Sequence, residues 1–316
     1  MNRIGVLTSG EDAPGMNAAI RAVVRAGTYH GVEMVGVKHG SYGVIHGLFQ
    51  EMDEKSVSSI MQRGGTILQS SISEEIYTEE GLQRALGNLK NENIEALIII
   101  GGKEALKTAR AFHKHGFSSM VIPATIESNI PGVDYTVGFH TALNNIIHYI
   151  DRIRDTASSH EKTSIVEVAG DDAGKIAYYA GLAGGAENIL IPGWKENADD
   201  IIQHIKDGEE KRYSIIVIAE GSINSADFKR QLKEQAGVES RLIVLGDTQR
   251  GGAPTGIDRI LASQLGAFAI ESLLNNETSK MVGILHNELV SYDLSEVPSH
   301  RSNMDENMYQ LFKKLS

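Results

Sequence analysis

The chain contains no cysteine, which excludes disulfides, cysteine-ligated zinc and thiol nucleophiles and fits a reducing compartment. Proline is scarce, six in 316 residues, so no proline-rich linker separates one part of the chain from another. No apolar run approaches the ~18 residues needed to cross a bilayer. The N-terminal M-N-R-I-G-V-L-T-S-G reads as a strand from the outset, without a signal-peptide pattern. Basic residues are outnumbered, 30 Lys and Arg against 41 Asp and Glu. The net charge of -11 opposes non-specific binding to nucleic acid or an anionic membrane surface. Together these absences lead us to expect a soluble cytoplasmic protein.

What is present is glycine, 33 residues, and a repeated alternation of β-branched runs with helical periodicity. Segments 4–8, 32–37, 96–100, 119–123, 164–168, 214–219 and 242–245 read as core strands. Segments 15–28, 141–153 and 260–274 read as helices between them, and D-E-N-M-Y-Q-L-F-K-K-L near the C-terminus as an amphipathic one. Such alternation predicts a doubly wound α/β architecture, and the length suits two α/β domains. Composition marks no boundary between them.

The richest segment is A-L-I-I-I-G-G-K-E-A, residues 96–105. Its apolar run predicts a buried parallel strand, and Gly101-Gly102 allow a sharp turn at the carboxyl end, where open α/β sheets collect ligands. A loop handling Mg²⁺ and ATP would be expected to offer a metal-binding carboxylate flanked by small residues. Lys103 and Glu104 offer an ammonium and a bulky carboxylate instead.

Further motifs run in order along the chain: T-S-G-E-D-A-P-G-M-N-A-A-I-R (8–21), Q-R-G-G-T-I-L (62–68), T-I-E-S-N-I-P-G (125–132) and G-F-H-T-A-L-N (138–144). They continue with I-R-D-T-A-S-S-H-E-K-T (153–163), G-L-A-G-G-A-E (181–187) and L-G-D-T-Q-R-G-G-A-P-T (245–255). Taken together the sequence resembles the bacterial ATP-dependent 6-phosphofructokinase family over nearly its whole length. The resemblance implies two similar doubly wound three-layer α/β/α domains of the phosphofructokinase type. Residues 1–138 with 252–304 would form the nucleotide side, and 139–251 with 305–316 the sugar-phosphate side. It also implies a tetramer.

The resemblance further implies site residues, several of which are exchanged here. Glu11 stands where the family has a glycine approaching the ATP phosphates. Lys103 and Glu104 replace Asp-Gly, including the carboxylate expected to hold Mg²⁺; protonated lysine cannot ligate a metal. The exchange leaves open a direct phosphate contact by Lys103. Glu127, next to Thr125, takes the place of the catalytic aspartate and reaches one methylene further; Asn129 replaces a nearby carboxylate. Ile72 replaces an arginine that stabilises the transferring phosphate. For the sugar phosphate, Glu220, Arg241 and Arg250 match and Lys162 replaces arginine, while Asp171 and Asp247 replace an arginine and a histidine.

An effector site for ADP or phosphoenolpyruvate is implied by Arg21, Arg25, Arg154, Gly185 and Glu187, with Lys211 and Arg212 in a basic cluster. Mg²⁺ would enter there with a bound nucleotide, through Glu187, and no metal is expected at the exchanged active site. A solvated basic face accounts for the same arginines. The exchanges lead us to expect a catalytically impaired family member, a regulatory or structural subunit that assembles with itself or with an active paralogue. The alternative is a genuine but slow ATP-dependent 6-phosphofructokinase, with Lys103 and Glu127 in altered roles.

Overall fold

The computed structural model describes residues 1–160, 162–170, 174–194, 197–207, 214–297 and 306–316. In chain order the first elements are β1 (Arg3–Ser9), α1 (Met16–Tyr29), β2 (Glu33–Val37), α2 (Gly40–His46), β3 (Phe49–Met52), α3 (Glu79–Asn91), β4 (Ala96–Gly101), α4 (Lys103–Lys114) and β5 (Ser118–Pro123). Then follow α5 (Phe139–His160), β6 (Thr163–Val168), α6 (Lys175–Ala183), β7 (Asn188–Leu190), α7 (Ala198–Lys206), β8 (Ile215–Ala219), α8 (Ser225–Ala236) and β9 (Ser240–Val244). The last are α9 (Gly256–Leu274), β10 (Lys280–Leu285), β11 (Glu288–Asp293) and α10 (Glu306–Leu315). Two compact units result, Met1–Thr141 with Arg250–His300, and Ala142–Gln249 with Arg301–Ser316.

The first unit holds a seven-stranded sheet in the order β11-β10-β5-β4-β1-β2-β3. Its centre is parallel, and β3 and β11 close the two edges in antiparallel pairing. Side chains of a strand alternate between faces, and this divides the core. Leu97 and Ile99 of β4 pack with Leu7, Val35 and Val121 against Leu82, Ala85, Leu106 and Phe112 of α3 and α4. Their neighbours Ile98 and Ile100 are equally buried and point to the other face. Each such side chain contributes about 1.5–3 kcal/mol by leaving water. Helices α1 and α9 touch so closely that a Cβ on Gly266 would lie 2.6 Å from that of Ala22.

Strand order reverses between β1 and β4, because β2 follows on one side of β1 and β4 lies on the other. The carboxyl ends of these two strands therefore flank a topological switch point, where ligands bind in open sheets. A Cβ on Gly101 would fall 2.1 Å from the Ser9 carbonyl oxygen, so only glycine lets β4 end beside β1.

The second unit holds a parallel four-stranded sheet in the order β7-β8-β6-β9. Ile165, Ile216 and Ile218 pack on Ile201, Ile202, Phe228 and Leu232 of α7 and α8. Against α6, Trp194 meets the rings of Tyr178, Tyr309 and Phe312, and the Tyr178 hydroxyl donates to the Met308 carbonyl at 3.0 Å. That contact docks the amphipathic C-terminal helix. Among the described residues no helix is long and apolar enough to cross a membrane.

Candidate active site

Three loops of the first unit meet at the carboxyl ends of its central strands. The β1 loop leaves through Gly10 at φ 88° and enters α1 through Gly15 at φ 110°, both in the left-handed region that glycine tolerates. Ser70 holds this loop by donating its hydroxyl to the Gly10 carbonyl at 2.5 Å. A Cβ on Gly10 would lie 3.6 Å from Glu104 Cβ, and one on Gly102 would lie 3.4 Å from Thr125 Cβ. Glu11, Lys103, Glu104 and Thr125 therefore belong to one patch of backbone. Ile72 lies between the Ser70 bridge and the following 3-10 turn, with 45% of its surface exposed.

Lys103 opens α4 directly after its N-cap, Gly102, which has no side-chain cap hydrogen bond. The first amides of a helix already carry partial positive charge, and the ammonium adds to it. The loop thus keeps an attraction for anions while lacking a metal ligand at this position. Glu104, in the same first turn, accepts a hydrogen bond of 2.7 Å from the Tyr77 hydroxyl, which also meets Thr108 Oγ1 at 3.3 Å. Lys107 lies 3.8 Å above the Tyr77 ring and 4.0 Å from both Glu74 and Glu104. Burial pushes the Tyr77 hydroxyl above its ordinary range, and the adjacent Glu104 carboxylate adds to the shift.

Tyr77, Glu79, Lys103, Lys107, Lys114 and His115 line a cavity of about 540 Å³ that runs along one side of α4 from its first residue to its C-cap. A larger cavity of about 890 Å³ lies beside Asn2, Arg3 and Glu95 at the amino ends of the strands. Open α/β sheets bind at the carboxyl ends; the smaller cavity reaches that end only at Lys103 and Glu104, and neither cavity is lined by Glu11, Thr125 or Glu127.

The loop after β5 carries Thr125, Glu127 and Asn129. Asn129 Nδ2 donates to Glu127 Oε2 at 3.1 Å, and the Glu127 amide donates to Thr125 Oγ1 at 3.4 Å. Thr136 clamps the loop from behind, its hydroxyl 2.6 Å from the Thr125 carbonyl. Asn129 is 8% exposed and its Oδ1 is buried without a hydrogen-bond partner. A carboxylate accepts only from the amide nitrogen, so this pairing fixes which way Asn129 faces.

Arg250 groups with the first unit. Its guanidinium reaches Glu11 Oε2 at 2.6 Å, with side-chain exposures of 16% for Arg250 and 68% for Glu11. In the second unit Lys162, Glu220, Arg241 and Asp247 are all exposed. Glu220 immediately follows β8, Arg241 lies on β9 opposite Ser164, and Asp247 lies in a short 3-10 turn after β9. Gln249, a residue the motifs did not single out, is buried and accepts the Ala169 amide at 3.1 Å. Asp171, Lys211 and Arg212 lie outside the described residues.

Of the effector residues, the second unit brings three together. Arg154 donates through Nη2 to the Gly184 carbonyl at 2.8 Å and to that of Gly185, and its Nη1 lies 3.5 Å from Glu187 Oε1. Glu187 Oε2 accepts the Ile215 amide at 2.7 Å. Arg21 and Arg25 lie one turn apart on α1 in the first unit, the former half-buried and the latter exposed. Among the described residues no group of three or more His, Asp or Glu side chains is placed to hold a metal ion.

Two associations escaped the sequence. Tyr77 is linked to Glu104 by no motif or period. Asp258 is fully buried and accepts the amides of Gly138 at 2.9 Å and Thr141 at 2.7 Å, together with the Thr141 hydroxyl. The signal for Asp258 was the run T-G-I-D, a helix start with Thr255 as N-cap.

Residues 3–273 match the family model described as Phosphofructokinase. The ATP-dependent 6-phosphofructokinase of Oceanobacillus iheyensis is 50% identical over 318 aligned residues, covering all of both chains. That of Bacillus subtilis is 48% identical over the same span. Among solved structures, Pichia pastoris phosphofructokinase in the T-state superposes with a TM-score of 0.86 at 30% identity, covering 94% of this chain and 35% of that longer one. Pyrophosphate-dependent phosphofructokinase from Nitrosospira multiformis gives 0.87 at 18% identity over 97% of this chain and 86% of that one, a likeness of fold.

Proposed function

The chain belongs to the phosphofructokinase family, and we propose that it transfers the γ-phosphoryl group of ATP to fructose 6-phosphate, more slowly than the ~1–100 s⁻¹ usual for kinases. The observation that carries this reading is the end-to-end similarity to proteins named ATP-dependent 6-phosphofructokinase. It favours the slow enzyme over the impaired subunit, which rests on the side-chain exchanges alone.

Glu127 is the base for the sugar hydroxyl in this reading, held by the Asn129 amide. Lys103 and the amino end of α4 neutralise phosphate charge in place of a protein carboxylate and its metal. Lysine at position 103 does not fit a metal held by that residue, so Mg²⁺ enters as part of the substrate, Mg·ATP. Arg250 of the first unit serves the sugar phosphate. The longer reach of Glu127 and the loss of positive charge at Ile72 account for the slow rate.

The test is ADP release from the purified chain with Mg·ATP, with and without fructose 6-phosphate. Release that requires the sugar phosphate supports the reading; release indifferent to it, or none, overturns it.

Lys103 itself favours the second reading, a subunit without turnover that holds a phosphorylated effector and assembles into a tetramer with itself or an active paralogue. Arg154, Gly185 and Glu187 would take part in holding ADP or a phosphoenolpyruvate-like anion. Calorimetry with both ligands tests it. Heat that disappears in Arg154→Ala supports it, and no heat with either ligand removes it.

A further inference from the structure

Glu11 and Arg250 form an ion pair across the loop that leaves β1, and the two partners are held very differently. Arg250 is 16% exposed. The backbone just beyond it is pinned, because a Cβ on Gly64 would lie 2.4 Å from the Gly252 carbonyl oxygen. Asn17 pins the other side by donating to the Arg63 and Gly64 carbonyls at 3.1 Å each. Glu11 is 68% exposed and follows a glycine at φ 88°. The arginine is therefore a fixed, largely desolvated cation, and the glutamate is the partner that is free to swing into water.

A carboxylate presents one negative charge to a guanidinium, whereas a phosphate presents up to two and three acceptor oxygens. The exposed partner loses little by leaving, since an ion pair with one solvated member contributes only modestly. The 2.6 Å contact thus resembles a low-affinity occupant of a position that a phosphate would hold more firmly.

We propose that Glu11 is an internal counter-ion that competes with the substrate phosphate for Arg250, and so sets the affinity of the chain for phosphorylated sugar. This rests on the reading of Arg250 as a sugar-phosphate ligand. Glu11 is a positioning residue in this role, since its carboxylate acts on the sugar phosphate through the arginine.

The experiment is calorimetric titration with inorganic phosphate, and separately with fructose 6-phosphate, of the wild-type chain and four variants. Glu11→Gln removes the charge and keeps the size. It is expected to tighten both ligands by about 2- to 5-fold, the range an ion pair of this exposure represents. In Arg250→Gln the affinity falls, and in Glu11→Gln/Arg250→Gln the gain vanishes. Asp12→Asn, one residue along the same loop, leaves affinity within about 1.5-fold, which separates displacement at Arg250 from a general field of the loop. Unchanged affinity in Glu11→Gln, an equal gain in the Arg250→Gln background, or no phosphate binding by either protein would overturn the proposal. Turnover is read in parallel. The gain without turnover keeps the counter-ion and removes the kinase; turnover without the gain does the reverse.

Discussion

Tyr77 is the side chain that most changes the picture of the G-G-K-E loop. Its hydroxyl secures Glu104, and its ring lies beneath Lys107, so three side chains of alternating polarity lock one wall of the cavity. Replacing it in Tyr77→Phe is expected to lower stability by about 1 kcal/mol at neutral pH, read by denaturant unfolding. The sign with pH follows from the raised hydroxyl. The folded state favours neutral Tyr77, so its contribution is complete below the unfolded value of about 10 and fades as pH rises beyond it. Tyr77→Phe should therefore flatten the alkaline loss of stability; an equally steep limb in the variant would count against this account. Asn129 makes a different prediction. Asn129→Ala removes the amide donor from the Glu127 carboxylate, and kcat should fall about 10-fold with KM for ATP nearly constant. A raised KM with unaltered kcat would mean that Asn129 serves binding instead.

At the scale of elements, Asp258 holds the first unit together. One buried carboxylate serves the amino ends of two helices, α5 through Gly138 and Thr141 and α9 through its own first turn. Asp258→Ala leaves those buried donors unpaired, at about 3 kcal/mol, and the Tm should drop by about 6–12 °C. A drop under 2 °C would show that water replaces the carboxylate. The same residue explains where the sequence was silent. The periodic pattern started α5 at residue 141, two residues late, because its cap comes from a distant aspartate instead of from a local Ser or Asp. Central strands such as β4 were legible because a strand buried on both faces is a plain aliphatic run. Among the edge strands β7 is three residues long and β11, E-L-V-S-Y-D, is half exposed and mixed in polarity, and neither was read. Residues 242–245 were read as a core strand, but β9 is a partly exposed edge strand, and the interior strand β10, K-M-V-G-I-L, was missed. The helix read over 15–28, observed as Met16–Tyr29, and the amphipathic α10 were both visible. Docking of α10 has its own reporter in the single tryptophan. Phe312→Ala should shift Trp194 emission to the red as the aromatic cluster opens, and an unmoved spectrum would place the helix elsewhere.

For the whole molecule, family and fold were legible because seven motifs occur in order, each fixed by a backbone turn or a site. The side-chain exchanges were legible too, but their consequences depend on distance. Glu11 meets Arg250 across a separation that no periodicity reports, whereas Asn129 meets Glu127 two residues away through the turn of one loop. The net effect is a set of loops in the first unit that holds the Glu127 carboxylate through Asn129 and pairs Glu11 with Arg250. Slow phosphoryl transfer is the outcome this arrangement supports. The most direct test is fructose 6-phosphate-dependent ADP release by the wild-type chain beside its Glu127→Gln variant. The account predicts measurable release that falls by about 100-fold or more when the base is removed. Equal release from both proteins, or none from either, would contradict it.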